Sequence, residues 1–175
     1  NVVQTQTISL TVKEDASLEF LPQENIIFDG ANAKLATEID VASTGKMIAW
    51  DIVSFGRPHG GFLFKSGSLR QQISIRVDGE IVLHEGFKTD PSLAVMESEV
   101  GLRGYKHMGS MFIAAPEDEA FYPNWVDDIR STLADLDDSS QMLGVTHRRK
   151  LIIVRALSND IERLRNTFIQ IWQHI

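Results

Sequence analysis

The sequence predicts an α+β fold in which β-structure predominates: an irregular layered β scaffold with two C-terminal helices. Three observations carry this. Short stretches of period-two alternation, broken by turn residues, fill positions 1–116. The last third instead carries two stretches with apolar residues at helical spacing, Trp125 to Leu136 and Ile161 to Trp172. At 175 residues, 43% hydrophobic and 23% charged, the chain has the composition of one folded domain with a full core. The expected organisation is a single domain over 1–175, β-rich through 116, with a helix–strand–helix tail over 124–174.

In chain order, Ile8, Leu10 and Val12 alternate with Ser9 and Thr11, a half-buried strand that Val2 to Thr7 extends. Glu14-Asp15-Ala16 is a turn. Leu35, Thr37, Ile39 and Val41 alternate with charged or small residues, giving a strand with one wet face. After the turn Ser43-Thr44-Gly45-Lys46, Met47 to Phe55 is nearly all apolar apart from Asp51, the pattern of a central strand covered on both sides. Leu69 to Glu85, with Asp78-Gly79 at its middle, reads as a β-hairpin. Lys88 to Tyr105 reads as loop, and Gly109 to Ala115 as a short buried strand ending at Pro116.

Asn124 is placed to cap a helix bearing Trp125, Val126, Ile129, Leu133 and Leu136, with Asp127, Asp128, Asp135 and Asp137 outside. Leu151 to Ala156 is a buried-type strand. Ser158 or Asn159 is placed to cap the last helix, which carries Ile161, Leu164, Phe168, Ile171 and Trp172 on one stripe.

The stretch Phe20-Leu21-Pro22-Gln23-Glu24-Asn25-Ile26-Ile27-Phe28-Asp29-Gly30-Ala31 is the densest in signals. Pro22 ends one strand, because proline fixes φ and has no N–H for a central ladder. Asp29-Gly30 reads as a turn. Glu24 and Asp29 therefore bracket a short apolar run, either as rim and turn residues or as a pair of acids at a site.

Composition excludes several functions. A net charge of −7 argues against general nucleic-acid binding, which needs a basic face. The one basic run, His147-Arg148-Arg149-Lys150, reads as a solvated loop or edge guard. With no cysteine there is no disulfide framework and no thiolate metal site. No apolar run approaches the ~18 residues that span a bilayer, and no signal-peptide pattern opens the chain. A cytoplasmic protein with no membrane or nucleic-acid partner is expected.

Ala42 to Met47 looks superficially like a phosphate loop, but Asp40 and Met47 stand where that motif needs Gly and Ser or Thr, so no nucleotide hydrolysis is expected. The histidines His59, His84, His107, His147 and His174 lack metal-ligand spacing, so no tight cage is expected. There is no Gly-x-Ser-x-Gly elbow. The glycine-rich loop Gly56-Arg57-Pro58-His59-Gly60-Gly61 is either a wide turn or a surface loop with Arg57 as an anchoring donor.

The segment "FLPQENIIFDGAN" resembles the L-P-Q-E-x-x-I-x-F-D-G-A segment of the urease accessory protein UreD (UreH) family. Gln4, Thr5, Gln6, Pro22, Gln23, Glu24, Phe28, Asp29, Gly30, Gly56, Arg57, Gly61 and Gly67 match that family's pattern, and the resemblance runs from about Val3 to Trp172. Asp51 and Ser54 depart from it, standing where Glu and Cys are common.

The resemblance implies a non-catalytic urease maturation scaffold that binds UreF. Through UreF it would recruit UreG, and the assembly would assist GTP-dependent nickel insertion into apo-urease. No cofactor is held tightly; nickel is in transit. Glu24, Asp29, Asp51, His59 and Glu85 are the candidates to line a loose nickel route, since transfer requires weak oxygen and imidazole contacts. Gln23, Gly56, Arg57, Pro58, Gly60 and Gly61 are the candidate partner-binding residues. The family carries a further portion before the Gln4 strand, so an uncovered edge there, with self-association or a homodimer, is expected. The rival reading is a stand-alone β-rich hydrolase or carbohydrate-binding module using Glu24 and Asp29.

Overall fold

The computed structural model describes residues 2–89, 92–136 and 140–175, without the side chains of Glu117, Phe121 and Asp135. The strands are β1 (Gln4–Val12), β2 (Ser17–Phe20), β3 (Asn25–Ile27), β4 (Asn32–Val41), β5 (Lys46–Arg57), β6 (Phe62–Leu63), β7 (Ser68–Val77) and β8 (Glu80–Lys88). There follow α1 (Ala94–Glu97), β9 (His107–Ala114), α2 (Tyr122–Leu136), β10 (Gln141–Arg148), β11 (Leu151–Ser158) and α3 (Ile161–His174). Short 3-10 helices stand at Pro58–Gly60 and Pro116–Phe121. The protein is thus α+β with β predominant and two C-terminal helices.

One sheet runs β1-β4-β7-β8. The other runs β10-β11-β9-β5-β2, with β3 further along the same side of β5. The strands β1, β4 and β7 are parallel, as are β2 and β3 to β5. Val12 lies beside Val41 and Ser17 beside Lys46, each pair 29 residues apart. The chain therefore passes through one sheet, turns into the other, and stacks a second coil in register on the first.

Side chains clasp the corners between coils. At one, Glu14 accepts from the Thr44 N–H (3.0 Å) and hydroxyl (2.6 Å), while the Asp15 N–H donates to Thr44 Oγ1 (2.8 Å). At the other, Asp29 Oδ1 accepts from the N–H groups of Lys65 (2.9 Å) and Ser66 (2.8 Å) and from the Ser66 hydroxyl (2.9 Å). Gly67 completes this corner at φ +111°, and a Cβ there would lie 2.2 Å from the Ala31 carbonyl oxygen. Only glycine lets the coils close at that point. The turn expected at Asp29-Gly30 is such a corner, held by the coil that follows.

As its composition predicts, β5 is central. Trp50 and Ile52 pack with Met111, Ile129, Leu164 and Phe168 under the helices. On the opposite face, toward the other sheet, Met47 and Ala49 join one apolar cluster and Val53 and Phe55 another. The hairpin at Asp78-Gly79 forms as expected, with both residues at positive φ. Pro22 closes β2, and the ladder to β5 resumes at Asn25.

The structure departs from the sequence reading in the tail. A strand not expected there, β10, pairs with β11, so the tail is helix–hairpin–helix. Its alternation was obscured by Gly144 and by the basic run, whose first two residues end the strand at the sheet's edge. Helix α2 begins at Tyr122, which puts Asn124 inside the first turn and not at the cap. The α3 cap is Asp160, whose carboxylate accepts from the Arg163 N–H (3.1 Å). Ser158 instead braces Asp160, accepting from its N–H (2.9 Å). The 88–105 segment contains the one-turn α1 within its turns. Asp127 and Asp128 are exposed as expected, whereas Asp137 and the Asp135 side chain lie outside the described residues.

At the sheet's edge, β1 is bonded among the described residues to β4 alone, and its first four residues are exposed. Unpaired N–H and C=O groups along nine residues are a template for another strand. The 175-residue chain by itself is therefore expected to associate as concentration rises, in a light-scattering series. A monomer at every concentration, with Ile8 and Leu10 amides as protected from exchange as those of Ile73 and Ile75, would contradict this.

Candidate functional site

The space between the two sheets is apolar at both ends and polar across its middle. Reading along each strand shows this directly. On β5, Ala49 belongs to one apolar cluster and Val53 to the next, with Asp51 between. On β9 the sequence of inward residues is Phe112, Ser110, Met108; on β11 it is Ile153, Arg155, Leu157. Asp51, Ser110 and Arg155 are direct cross-strand neighbours. On the opposite sheet Thr37, between Ile39 and Leu35 on β4, and Glu85, between Leu83 and Phe87 on β8, both lie beside Ile73 of β7. Gln71, between Ile73 and Leu69, is staggered by two residues and lies beside Leu35 and Phe87. Each of these strands thus contributes one polar side chain to a layer that separates two hydrophobic clusters.

The layer is bonded from sheet to sheet. Gln71 Nε2 donates to Asp51 Oδ2 at 3.0 Å. The Arg155 guanidinium donates to the Ser110 hydroxyl and forms an ion pair with Glu85. It also lies 5.6 Å from the centre of the Phe112 ring. Two cavities meet the layer. One of about 130 Å³ is bounded by Gln6, Gln23, Asn25, Thr37 and Asp51, and opens on the β1 side. The other, of about 430 Å³, is a cleft toward β8 and β10 bounded by Gln71, Glu85, Ser110 and Arg155 among apolar residues. Ile73 lines both, and the Asp51–Gln71 bond links a residue of the first to a residue of the second.

Asp51 is the anomalous member. Its Oδ1 is sealed from solvent and accepts no hydrogen bond. Burial raises its pKa above the usual 3.8, opposed by contact with the amides of Gln71 and Asn25. A desolvated carboxylate oxygen without a donor is costly in a core. It is also what a passing cation would coordinate.

Of the five residues expected along a metal route, Asp51 and Glu85 belong to this layer. Glu24 does not: its carboxylate forms an ion pair with Arg165 of α3. Asp29 is engaged in the corner, and the N–H groups of Lys65 and Ser66 with the Ser66 hydroxyl hold its pKa below the usual value. His59 is exposed in the 3-10 turn. Among the described residues, no three His, Cys, Asp or Glu side chains converge to hold a metal ion. Glu24 and Asp29 turn to different neighbours, which gives the acid-pair reading no shared cleft.

The glycine-rich loop divides between structure and surface. Gly56 is buried at φ +80°, where a Cβ would stand 2.2 Å from the Phe62 carbonyl oxygen. Arg57, His59, Gly60 and Gly61 are exposed, Pro58 is half-buried, and Gln23 is exposed at the mouth of the smaller cavity. Phe62 (65% exposed) and Leu63 (42%) follow directly, so the loop carries an apolar surface.

A second polar row lies on the helix-facing side of the same three strands, where Ser54, His107 and Ser158 are cross-strand neighbours. His107 is 1% exposed and neither ring nitrogen has a hydrogen-bond partner. Burial lowers its pKa from 6.5 to about 4; nearby His59 adds to the shift, and Glu24 and Asp160 oppose it. The imidazole is neutral at physiological pH.

Sequence reasoning missed Gln71, Thr37, Ser110, Arg155 and His107. A signal existed for two of them: Thr37 and Gln71 each interrupt an otherwise apolar alternating stripe. The meaning of those interruptions needed the pairing of distant strands.

The chain matches the family described as UreD urease accessory protein over residues 1–175. It is 30% identical to a urease accessory protein UreD of Aliivibrio fischeri (strain MJ11), over 98% of this chain and 61% of that protein. It is 32% identical to a UreD of Methylobacillus flagellatus, over 97% of this chain and 57% of the relative. With a UreD of Vibrio parahaemolyticus it shares 33% identity over 98% of this chain and 59% of the relative. The chain spans less than two thirds of the length of each.

Two pH effects follow from the buried groups. Because the folded pKa of Asp51 lies above 3.8, its burial disfavours folding progressively as pH rises from 3.8 through the raised value. Asp51→Asn should match wild type at acid pH and be more stable at neutral pH, on the order of 1 kcal/mol. An Asp51→Asn chain less stable than wild type at pH 8 would contradict this. For His107 the sign is opposite: the unfolded chain takes up the proton between 6.5 and about 4 while the folded chain does not. Wild type should lose about 2–3 kcal/mol over that range relative to His107→Leu. Denaturant titrations at several pH values would show parallel curves if His107 were solvated.

Proposed function

This chain belongs to the UreD family of urease accessory proteins, and from that premise we propose that it is a non-catalytic scaffold in urease maturation through which nickel passes on its way to apo-urease. It binds UreF directly, recruits UreG through UreF, and takes part in GTP-dependent nickel insertion. The observation that carries the nickel part is Asp51: a buried carboxylate oxygen without a donor, in a polar layer whose members line two cavities on opposite sides of the sandwich.

The chemistry suits cargo better than a resident cofactor. One carboxylate flanked by Gln71, Asn25 and Thr37 offers oxygen ligands but too few charges to hold a divalent ion tightly. Weak binding with a change of partners is what transfer needs. Glu85 supplies a second carboxylate at the cleft end of the layer. The exposed loop Arg57–Gly61 with Phe62 and Leu63 supplies the surface for UreF, with apolar area around a guanidinium that can bond a partner. Glu24 and Asp29 support this path indirectly, by fixing α3 and the coil corner around it.

The reading is tested by urease activation reconstituted with UreF, UreG, GTP and nickel. Asp51→Asn should lower activation on the order of tenfold, while the chain melts no lower than wild type and still co-purifies with UreF. Glu85→Gln should lower activation without abolishing it. Normal activation by Asp51→Asn would remove the polar layer from the mechanism.

A further inference from the structure

The proposed passage contains a contradiction in charge. At its cleft end stands Arg155, a permanent cation, in the row that begins with Asp51. An ion that leaves the Asp51 side past Gln71 and Ile73 enters a cleft that the guanidinium also lines, and meets its repulsion there. The position is stabilised from three sides: the ion pair with Glu85, the hydrogen bond to Ser110, and the face of Phe112. Yet the side chain is 41% exposed, so it stands at the boundary of the cleft and not deep inside it.

The strand beyond Arg155 leaves it room to move. Directly opposite Arg155 on the edge strand β10 is Gly144. A Cβ built there meets nothing within 4 Å, and Gly144 lines the cleft together with Met142 and Leu143. The backbone of Gly144 does not have positive φ, so conformation does not demand glycine at this position. What glycine provides here is empty space beside the arginine stem. A long aliphatic stem can lie on an apolar strand surface while its head stays in water.

We propose that Arg155 is the cation-excluding residue of the passage. Paired with Glu85 it closes the cleft end to divalent ions, and swung over Gly144 it opens that end. In the open position Glu85 is left as a free carboxylate, so the departure of the guanidinium removes the repulsion and exposes a ligand together. This inference rests on the nickel-transit reading and adds to it the residue that decides when an ion can leave.

The test uses the full chain, stripped of metal by a chelator, and nickel ion alone as the probe. The smaller cavity opens separately on the β1 side. Every chain compared, the reference included, therefore also carries Gln6→Arg, which sets a cation at that mouth and leaves the cleft as the way in. Uptake is followed by stopped-flow competition with a chelating dye, and each variant's melting temperature is recorded. Arg155→Met keeps the stem and removes the charge, and should raise the rate of nickel uptake at least about tenfold. Arg155→Lys should stay slow. Gly144→Val fills the space opposite the stem and should slow uptake below wild type, with Arg155 unchanged. Asp51→Asn should lose the bound nickel in both the wild-type and Arg155→Met backgrounds.

If Asp51→Asn loses nickel but Arg155→Met and Gly144→Val take it up at the wild-type rate, the gate is overturned and the transit reading stands. If Asp51→Asn binds nickel like wild type, the transit reading falls and the gate with it. Should Arg155→Met fail to fold, Gly144→Val decides alone, and wild-type uptake in that variant counts against the gate.

Discussion

In-register stacking of successive coils is the constraint on which the other features depend. The 29-residue spacing that sets Val12 beside Val41 also sets Ser17 beside Lys46, so both sheets advance together. The corner clasps at Glu14 and Asp29 hold that spacing against slippage. In a β-strand a slip of one residue turns every side chain to the opposite face. Here it would put Asp51 under the helices and Trp50 between the sheets. The polar layer exists because pairing sets Asp51, Ser110 and Arg155 side by side on one sheet, and on the other sets Thr37 and Glu85 on either side of Ile73 with Gln71 two residues further along β7.

Such a layer is not favoured by stability alone. An apolar filling of the same volume would remove an unpartnered carboxylate oxygen and a half-exposed ion pair from the interior. Its arrangement of Gln71 to Asp51 and Arg155 to Glu85 satisfies most, but not all, of the groups involved. A partly satisfied network between two hydrophobic clusters suits the transit role proposed above, in which an ion takes up the bonding the protein leaves unmade. The helix-facing row at Ser54, His107 and Ser158 shows the same economy on the other side of β5, with a neutral imidazole left open.

Much of the architecture was legible in the sequence because it rests on local chemistry. Alternation placed β1, β4 and β7, a short apolar run placed β9, Asp78-Gly79 placed the hairpin, and the apolar run from Met47 identified the central strand. Helical spacing located both long helices, although Tyr122 and Asp160 set their starts. β10 was hidden because Gly144 and polar residues thin its pattern at an edge. The site was half visible. Asp51 stood out as a charge in an apolar strand, and Glu85 was among the candidates. Glu24 and Asp29 were drawn to the same role by their family-like segment, but their bonding partners, Arg165 and the Lys65–Ser66 backbone, lie 141 and 36–37 residues away. No local pattern reports such contacts. Arg155 and Ser110 became meaningful only once three strands were known to lie side by side.

The most direct measurement of the central claim is anomalous diffraction at the nickel edge from crystals of the chain soaked with nickel. A peak is expected between the sheets, within coordinating distance of Asp51 Oδ1, and is expected to be absent from Asp51→Asn crystals. Peaks confined to surface histidines such as His59, His84 and His174, with the interior empty at saturating nickel, would contradict it.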